Sequence, residues 1–239
     1  DYVGDSYGLS VKAQNTKANK IIFCAVKFMA ETAKILNPEK EVLIPSQENG
    51  CTLADAITAK EVKKLRKQYP EHSFICYINT TAEVKAECDI CVTSSNVYHI
   101  ISTFPNDKIY FLPDKLMGKN VKDELTKNNI KKEIIFHDAT CYVHEKFEPE
   151  NIKYLKLFHP DIKVLSHPEC SAEIVKLSDF VGSTSQMINY VKDNKSKKFF
   201  LLTECGLVNR LQIELPNKEF VGSCTLCKYM KANTLTDIL

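Results

Sequence analysis

The sequence predicts an α/β protein of three similar units, each a short parallel sheet with helices outside it, related by a pseudo-threefold axis. Three observations predict this class. Apolar strand-like runs alternate with helix-like stretches along the whole chain, the pattern of parallel sheets covered by helices. A hydroxyl-bearing motif occurs three times, and a cysteine follows each copy at a similar distance.

The motif copies are Asp1-Tyr2-Val3-Gly4-Asp5-Ser6, Asp89-Ile90-Cys91-Val92-Thr93-Ser94 and Asp179-Phe180-Val181-Gly182-Ser183-Thr184. With Ser6, Ser94 and Ser183 as markers, the steps are 88 and 89 residues. Cys51, Cys141 and Cys227 follow their markers by 45, 47 and 44 residues. Polar strand ends precede the later two markers: Tyr77-Ile78-Asn79 and His167-Pro168-Glu169, each introduced by a turn, Tyr69-Pro70-Glu71 or His159-Pro160-Asp161. Such fixed-period self-similarity marks a repeat architecture. The units are expected at 1–71, 72–161 and 162–239. The first has no counterpart of the polar strand end, so it is expected to be incomplete at its N-terminus.

Within a unit the elements follow in order. A strand ends in polar residues, a helix follows, and a short strand ends at the hydroxyl motif. A second helix (187–192 in the third unit) leads to a strand at 21–26, 108–112 or 199–203. A further helix and strand lead to the cysteine. Breaks near 117–120 and 193–196 suit surface loops.

Composition narrows the function classes. The chain has 239 residues, 44% hydrophobic and 26% charged, with 32 basic against 30 acidic residues and a net charge of +2. No global charge calls for nucleic acid or a membrane surface. No apolar run approaches the ~20 residues of a membrane helix, and no signal pattern opens the chain. A cytoplasmic location is expected. In a reducing compartment, ten cysteines point to metal or catalysis over disulfides. Cys24 and Cys76 sit in strand-like runs and read as buried small hydrophobes. In Cys88-Asp89-Ile90-Cys91, strand alternation sends the two thiols to opposite faces, which argues against a site there.

If the units surround one axis, Cys51, Cys141 and Cys227 converge. Three thiolates suit zinc or an iron–sulfur cluster. A cubane cluster takes four cysteines, so three would leave one iron open as a Lewis acid. Cys224 precedes Cys227 in a Cys-x-x-Cys pair; the repeat distance favours Cys227. Ser6, Ser94 and Ser183-Thr184 each stand before a helix. Singly they cap it; converging, their helix N-termini would bind anions. Tyr77 and Asn79 can hydrogen-bond a substrate, and His167 and Glu169 can exchange protons, Glu169 as a base if partly desolvated. His144, three residues past Cys141, would lie beside the metal.

Several of these motifs together resemble the quinolinate synthase (quinolinate synthetase A) family: Phe28-Met29-Ala30-Glu31, Cys51-Thr52-Leu53-Ala54-Asp55, Tyr77-Ile78-Asn79-Thr80-Thr81, Cys141-Tyr142-Val143-His144, His167-Pro168-Glu169-Cys170, Val181-Gly182-Ser183-Thr184-Ser185-Gln186-Met187 and Met230-Lys231-Ala232-Asn233-Thr234. The resemblance runs from residue 1 to residue 239. It implies a 4Fe-4S cluster on Cys51, Cys141 and Cys227. It implies condensation of iminoaspartate with dihydroxyacetone phosphate to quinolinate, phosphate and water, on the way to NAD, with functional coupling to an iminoaspartate-producing enzyme. It implies substrate binding by Ser6, Tyr77, Asn79, Ser94, His167, Glu169 and Thr184, and catalysis by Glu169 with Tyr77 and His144 nearby. The family's first unit opens with a strand bearing an active-site His and Tyr, both expected before residue 1, and its chains continue past Leu239, so weak activity or none is expected of this chain. Cys170 and Cys205 are expected to be extra thiols near the cavity. The rival readings are another three-cysteine 4Fe-4S hydro-lyase and a non-enzymatic metal-binding or redox protein using Cys224 and Cys227.

Overall fold

The computed structural model describes residues 2–222 and 225–238. The chain begins with α1 (Ser6–Gln14), β1 (Lys20–Ile22), α2 (Lys27–Leu36), β2 (Glu41–Leu43) and α3 (Ala59–Gln68). It continues with β3 (Ser73–Tyr77), α4 (Ala82–Ala86), β4 (Ile90–Val92), α5 (Val97–Thr103), β5 (Lys108–Leu112), α6 (Lys115–Lys127), β6 (Glu133–Phe136) and α7 (Tyr142–Glu145). Then come α8 (Pro149–Phe158), β7 (Lys163–Ser166), α9 (Ala172–Leu177), β8 (Phe180–Val181), α10 (Thr184–Asp193), β9 (Lys198–Leu202), α11 (Cys205–Glu214) and β10 (Glu219–Phe220). A short 3₁₀ turn (Met230–Ala232) and α12 (Leu235–Ile238) follow.

All strand pairs are parallel, and the sheets repeat one plan. The order β4-β3-β5-β6 recurs as β8-β7-β9-β10, and the two-stranded sheet β1-β2 matches the β5-β6 and β9-β10 pairs. Register carries the match to single residues: Lys20 faces Glu41, Lys108 faces Glu133 and Lys198 faces Glu219. The protein is therefore α/β, built from repeated units with short parallel sheets.

Strands β3, β5 and β9 are buried at every position after the first, as expected of parallel strands covered on both faces. Alternation splits their side chains between two cores. Phe74 and Cys76 pack under one face of the second sheet, and Ile75 and Tyr77 under the other with Phe111 and Met117. The third sheet divides the same way, Phe200 and Leu202 against Phe199 and Leu201. Full burial of each such side chain stabilises by about 1.5–3 kcal/mol. On α6, a Cβ at Gly118 would lie 2.6 Å from the Phe136 ring and 2.8 Å from Phe111, so this helix approaches the sheet closely because residue 118 has no side chain.

The acidic residue that opens each motif has a structural role. Asp89 accepts from the Phe74 N–H at 2.6 Å and Asp179 from the Val164 N–H at 2.9 Å. Each ties the short strand to the first strand of its unit. Asp1 lies outside the described residues.

The structure moves one marker. Register pairs Ile75 with Ile90 and Leu165 with Phe180, which makes Thr93 equivalent to Ser183 and Ser94 to Thr184. The caps agree. Ser183 N–H donates to Gln186 Oε1, as Thr93 N–H does to Asn96 Oδ1. Two adjacent hydroxyl residues in the third copy hid this one-residue offset.

Candidate active site

All twelve residues singled out in the sequence line one cavity of about 630 Å³. Ser6 and Thr184 come from the starts of α1 and α10, Ser94 from the turn before α5, and Tyr77, Asn79, His167 and Glu169 from the ends of β3 and β7. Cys51, Cys141 and Cys227 come from the loops that follow the last strand of each unit, and His144 from α7. Ser183 also reaches the cavity, but its hydroxyl accepts from Gln186 N–H in a capping box.

The three cysteines occupy equivalent places. Two residues before each, a carbonyl accepts a backbone N–H from the start of the helix after β1, β5 or β9. The pairs are Lys27 to Asn49 at 2.8 Å, Lys115 to Ala139 at 2.9 Å and Cys205 to Thr225 at 3.2 Å. Each cysteine carbonyl then accepts the N–H four residues on: Asp55 at 2.9 Å, Glu145 at 2.9 Å and Lys231 at 3.1 Å. The register selects Cys227 as the match of Cys51 and Cys141. Cys224 lies outside the described residues.

Carboxylates hold two of these turns. Asp55 accepts from Cys51 N–H at 3.0 Å. Glu204 accepts from Cys227 N–H at 3.3 Å with one oxygen and caps α11 at Gly206 N–H with the other. Burial pushes the Cys51 thiol up to about 12, partly offset by the Ala54 and Leu53 N–H groups. Burial, then the Glu169 charge, pushes Cys141 higher still, offset by the His144 and Val143 N–H groups. Cys227 raises Cys51, and Cys51 raises Cys141. Buried thiols whose charged forms disfavour one another become thiolates when a cation joins them. The donor set therefore fits a thiophilic metal centre.

Glu169 is the hub of the polar network. Tyr77 Oη donates to its Oε1 at 2.7 Å, and His144 Nδ1 meets its Oε2 at 3.0 Å. The far ring nitrogen of His144 meets Thr203 Oγ1 at 3.2 Å. His167 stacks on His144 with centroids 4.8 Å apart. Burial pushes the Glu169 carboxyl up, but His144, His167 and the two hydrogen bonds outweigh it and hold it below the usual carboxylate range. Tyr77 is held well above the ordinary phenol range by burial and then by the Glu169 charge. Burial lowers His167 to about 4 despite the opposing pull of Glu169.

Ligand atoms of Cys141, His144 and Glu169 also lie within 4.8 Å of one another. There the imidazole and carboxylate are already satisfied by their mutual hydrogen bond and by Thr203 and Tyr77.

Sequence reasoning missed Thr203, Glu204, Arg210 and Lys231, which line the same cavity. A polar pair ending the apolar run of β9 was the available signal for the first two. Cys24 is exposed on the cavity wall, because β1 ends at Ile22 and leaves it beyond the sheet. Cys76 is buried. Cys91 faces Cys76 across the β3–β4 register; Cys88 precedes β4, so strand alternation does not govern it. Cys170 is buried, with its thiol donating to the Leu202 carbonyl at 3.5 Å. Cys205 is disulfide-bonded and not a spare thiol. Among the described residues, no helix is long and apolar enough to cross a membrane.

The family model for Quinolinate synthetase A protein matches residues 1–239. Among curated proteins, the chain is 45% identical over 240 residues to a quinolinate synthase of Caldicellulosiruptor bescii, covering 100% of this chain and 78% of that one. A quinolinate synthase of Aquifex aeolicus is 48% identical over 221 residues, 92% of this chain and 67% of its own. One of Prochlorococcus marinus is 44% identical, over 98% of this chain and 72% of its own. This chain belongs to the quinolinate synthase family.

Proposed function

We propose that the chain catalyses condensation of iminoaspartate with dihydroxyacetone phosphate to quinolinate, with loss of phosphate and water, in the cytoplasmic route to NAD. The observation that carries this reading is one cavity shared by three equivalent cysteines, hydroxyl-bearing helix starts and a Tyr–Glu–His network. Cys51, Cys141 and Cys227 would hold a 4Fe-4S cluster. When bound, such a cluster supplies one open iron as a Lewis acid toward a substrate oxygen.

The chain's own groups have separable parts in this scheme. Ser6 and Thr184 stand at helix N-termini and Ser94 in the turn that leads into α5, where backbone N–H groups and hydroxyls suit carboxylates and phosphate. Asn79 adds an amide that can donate and accept. Glu169 is ionised at neutral pH, so it takes a proton rather than supplying one. Its two hydrogen-bonded partners, Tyr77 Oη and His144 Nδ1, are the donors best placed to relay protons through it. His167, kept neutral by burial, accepts the Glu169 N–H on its Nδ1 at 3.4 Å and so fixes the backbone that carries the carboxylate.

The unit cuts at 71 and 161 and a coupling to an iminoaspartate-producing enzyme belong to the same proposal. Its test is product analysis of the anaerobically purified chain given both substrates. Formation of quinolinate with stoichiometric phosphate supports the reading. An iron–sulfur protein that instead dehydrates small hydroxy acids would replace it with the hydro-lyase alternative.

A further inference from the structure

We propose that Tyr142 is a positioning residue that fastens Cys227 to Cys141 through its hydroxyl group. The inference rests on the reading that these cysteines hold a cluster. Tyr142 follows Cys141 directly, at the start of α7. Its hydroxyl reaches the loop around Cys227, 84 to 86 residues further on. The Lys228 N–H donates to it at 2.7 Å, and the Leu226 carbonyl lies 3.5 Å from it. One oxygen therefore grips the backbone on both sides of Cys227.

The contact has a counterpart in the preceding unit. Thr52 follows Cys51, and its hydroxyl donates to the Thr140 carbonyl at 3.4 Å, one residue before Cys141. Tyr142 likewise reaches the carbonyl one residue before Cys227. The residue after one cysteine thus reaches the residue before the next, in two successive units. The ring of Tyr142 is itself held, edge-on to Tyr229 at 6.2 Å and under the Lys146 ammonium at 5.4 Å. A hydroxyl so fixed sets the spacing between the two cysteines. Groups that hold metal ligands in place tune retention of the metal, and the reduction potential of an iron–sulfur cluster follows its surroundings.

The test compares the full chain with Tyr142→Phe, which keeps the ring and removes only the hydroxyl. Tyr190→Phe, whose ring stacks on Phe180 away from the cavity, is the control. Two quantities are read on anaerobically loaded protein: the rate of iron release to a ferrous chelator and the midpoint potential in a redox titration. Tyr142→Phe is expected to load the same iron, release it about fivefold faster or more, and shift the midpoint potential. Tyr190→Phe is expected to match the parent. A release rate and potential unchanged in Tyr142→Phe would overturn the inference alone. A parent chain that binds no iron would overturn the cluster reading beneath it.

Discussion

Tyr77 and Glu169 meet at 2.7 Å from the ends of two different sheets, 92 residues apart in the chain. By register Tyr77 corresponds to His167 and Asn79 to Glu169, so the contact joins non-equivalent members of two near-copies. Repetition builds the cavity, and divergence at these positions gives it a buried phenol–carboxylate pair.

Tyr77→Phe removes the donor to a buried, ionised carboxylate. Quinolinate formation is expected to fall by ~10²–10⁴ in kcat while the visible absorbance of loaded protein stays unchanged. Steady-state kinetics beside the absorbance spectrum check this. An unaltered kcat would remove Tyr77 from proton handling.

Thr203→Val is close to isosteric and strips the partner from the far nitrogen of His144. Leaving that buried group unsatisfied costs about 1–3 kcal/mol, read as a lower urea midpoint, and kcat should fall with it. Thr203→Ser keeps the hydroxyl and should restore both.

Stability should fall in acid because of His167. Its folded pKa of about 4 lies below the ordinary 6.5, so the unfolded chain binds more protons between these values. Stability is then fully present above pH 6.5 and is lost as pH drops toward 4, by roughly 3 kcal/mol. Urea titrations from pH 7 to 4 should show this slope, flattened in His167→Asn. An equal slope in the variant would assign the loss to other groups.

Gly118→Ala places a methyl against Phe136 and Phe111, with 2.6 and 2.8 Å separations that neither ring can absorb without shifting. A loss of about 1–3 kcal/mol is expected, seen as a lower urea midpoint with an unchanged slope.

The repeat was legible because its markers do structural work. Asp89 and Asp179 hold a strand N–H in each copy, and each cysteine follows the last strand of its unit by 5 to 8 residues. The Lys–Glu register pairs at 20 and 41, 108 and 133, and 198 and 219 were equally present in the sequence. Scattered among 62 charged residues, they gave no local signal. Thr203 escaped notice for a different reason. Pairing along β5 and β9 matches it to Pro113, so the repeat supplied no polar counterpart. The depressed carboxyl of Glu169 was not legible either, since it depends on His144 and Tyr77 arriving from other units. Burial alone would have raised it.

The central claim is that Cys51, Cys141 and Cys227 jointly hold one cluster. Iron and acid-labile sulfide, measured on anaerobically purified parent and single Cys→Ser variants, test it most directly. The parent should carry about four of each per chain, Cys51→Ser, Cys141→Ser and Cys227→Ser should each lose them, and Cys170→Ser should keep them. Stoichiometric zinc in the parent, or full iron retained in Cys227→Ser, would contradict it.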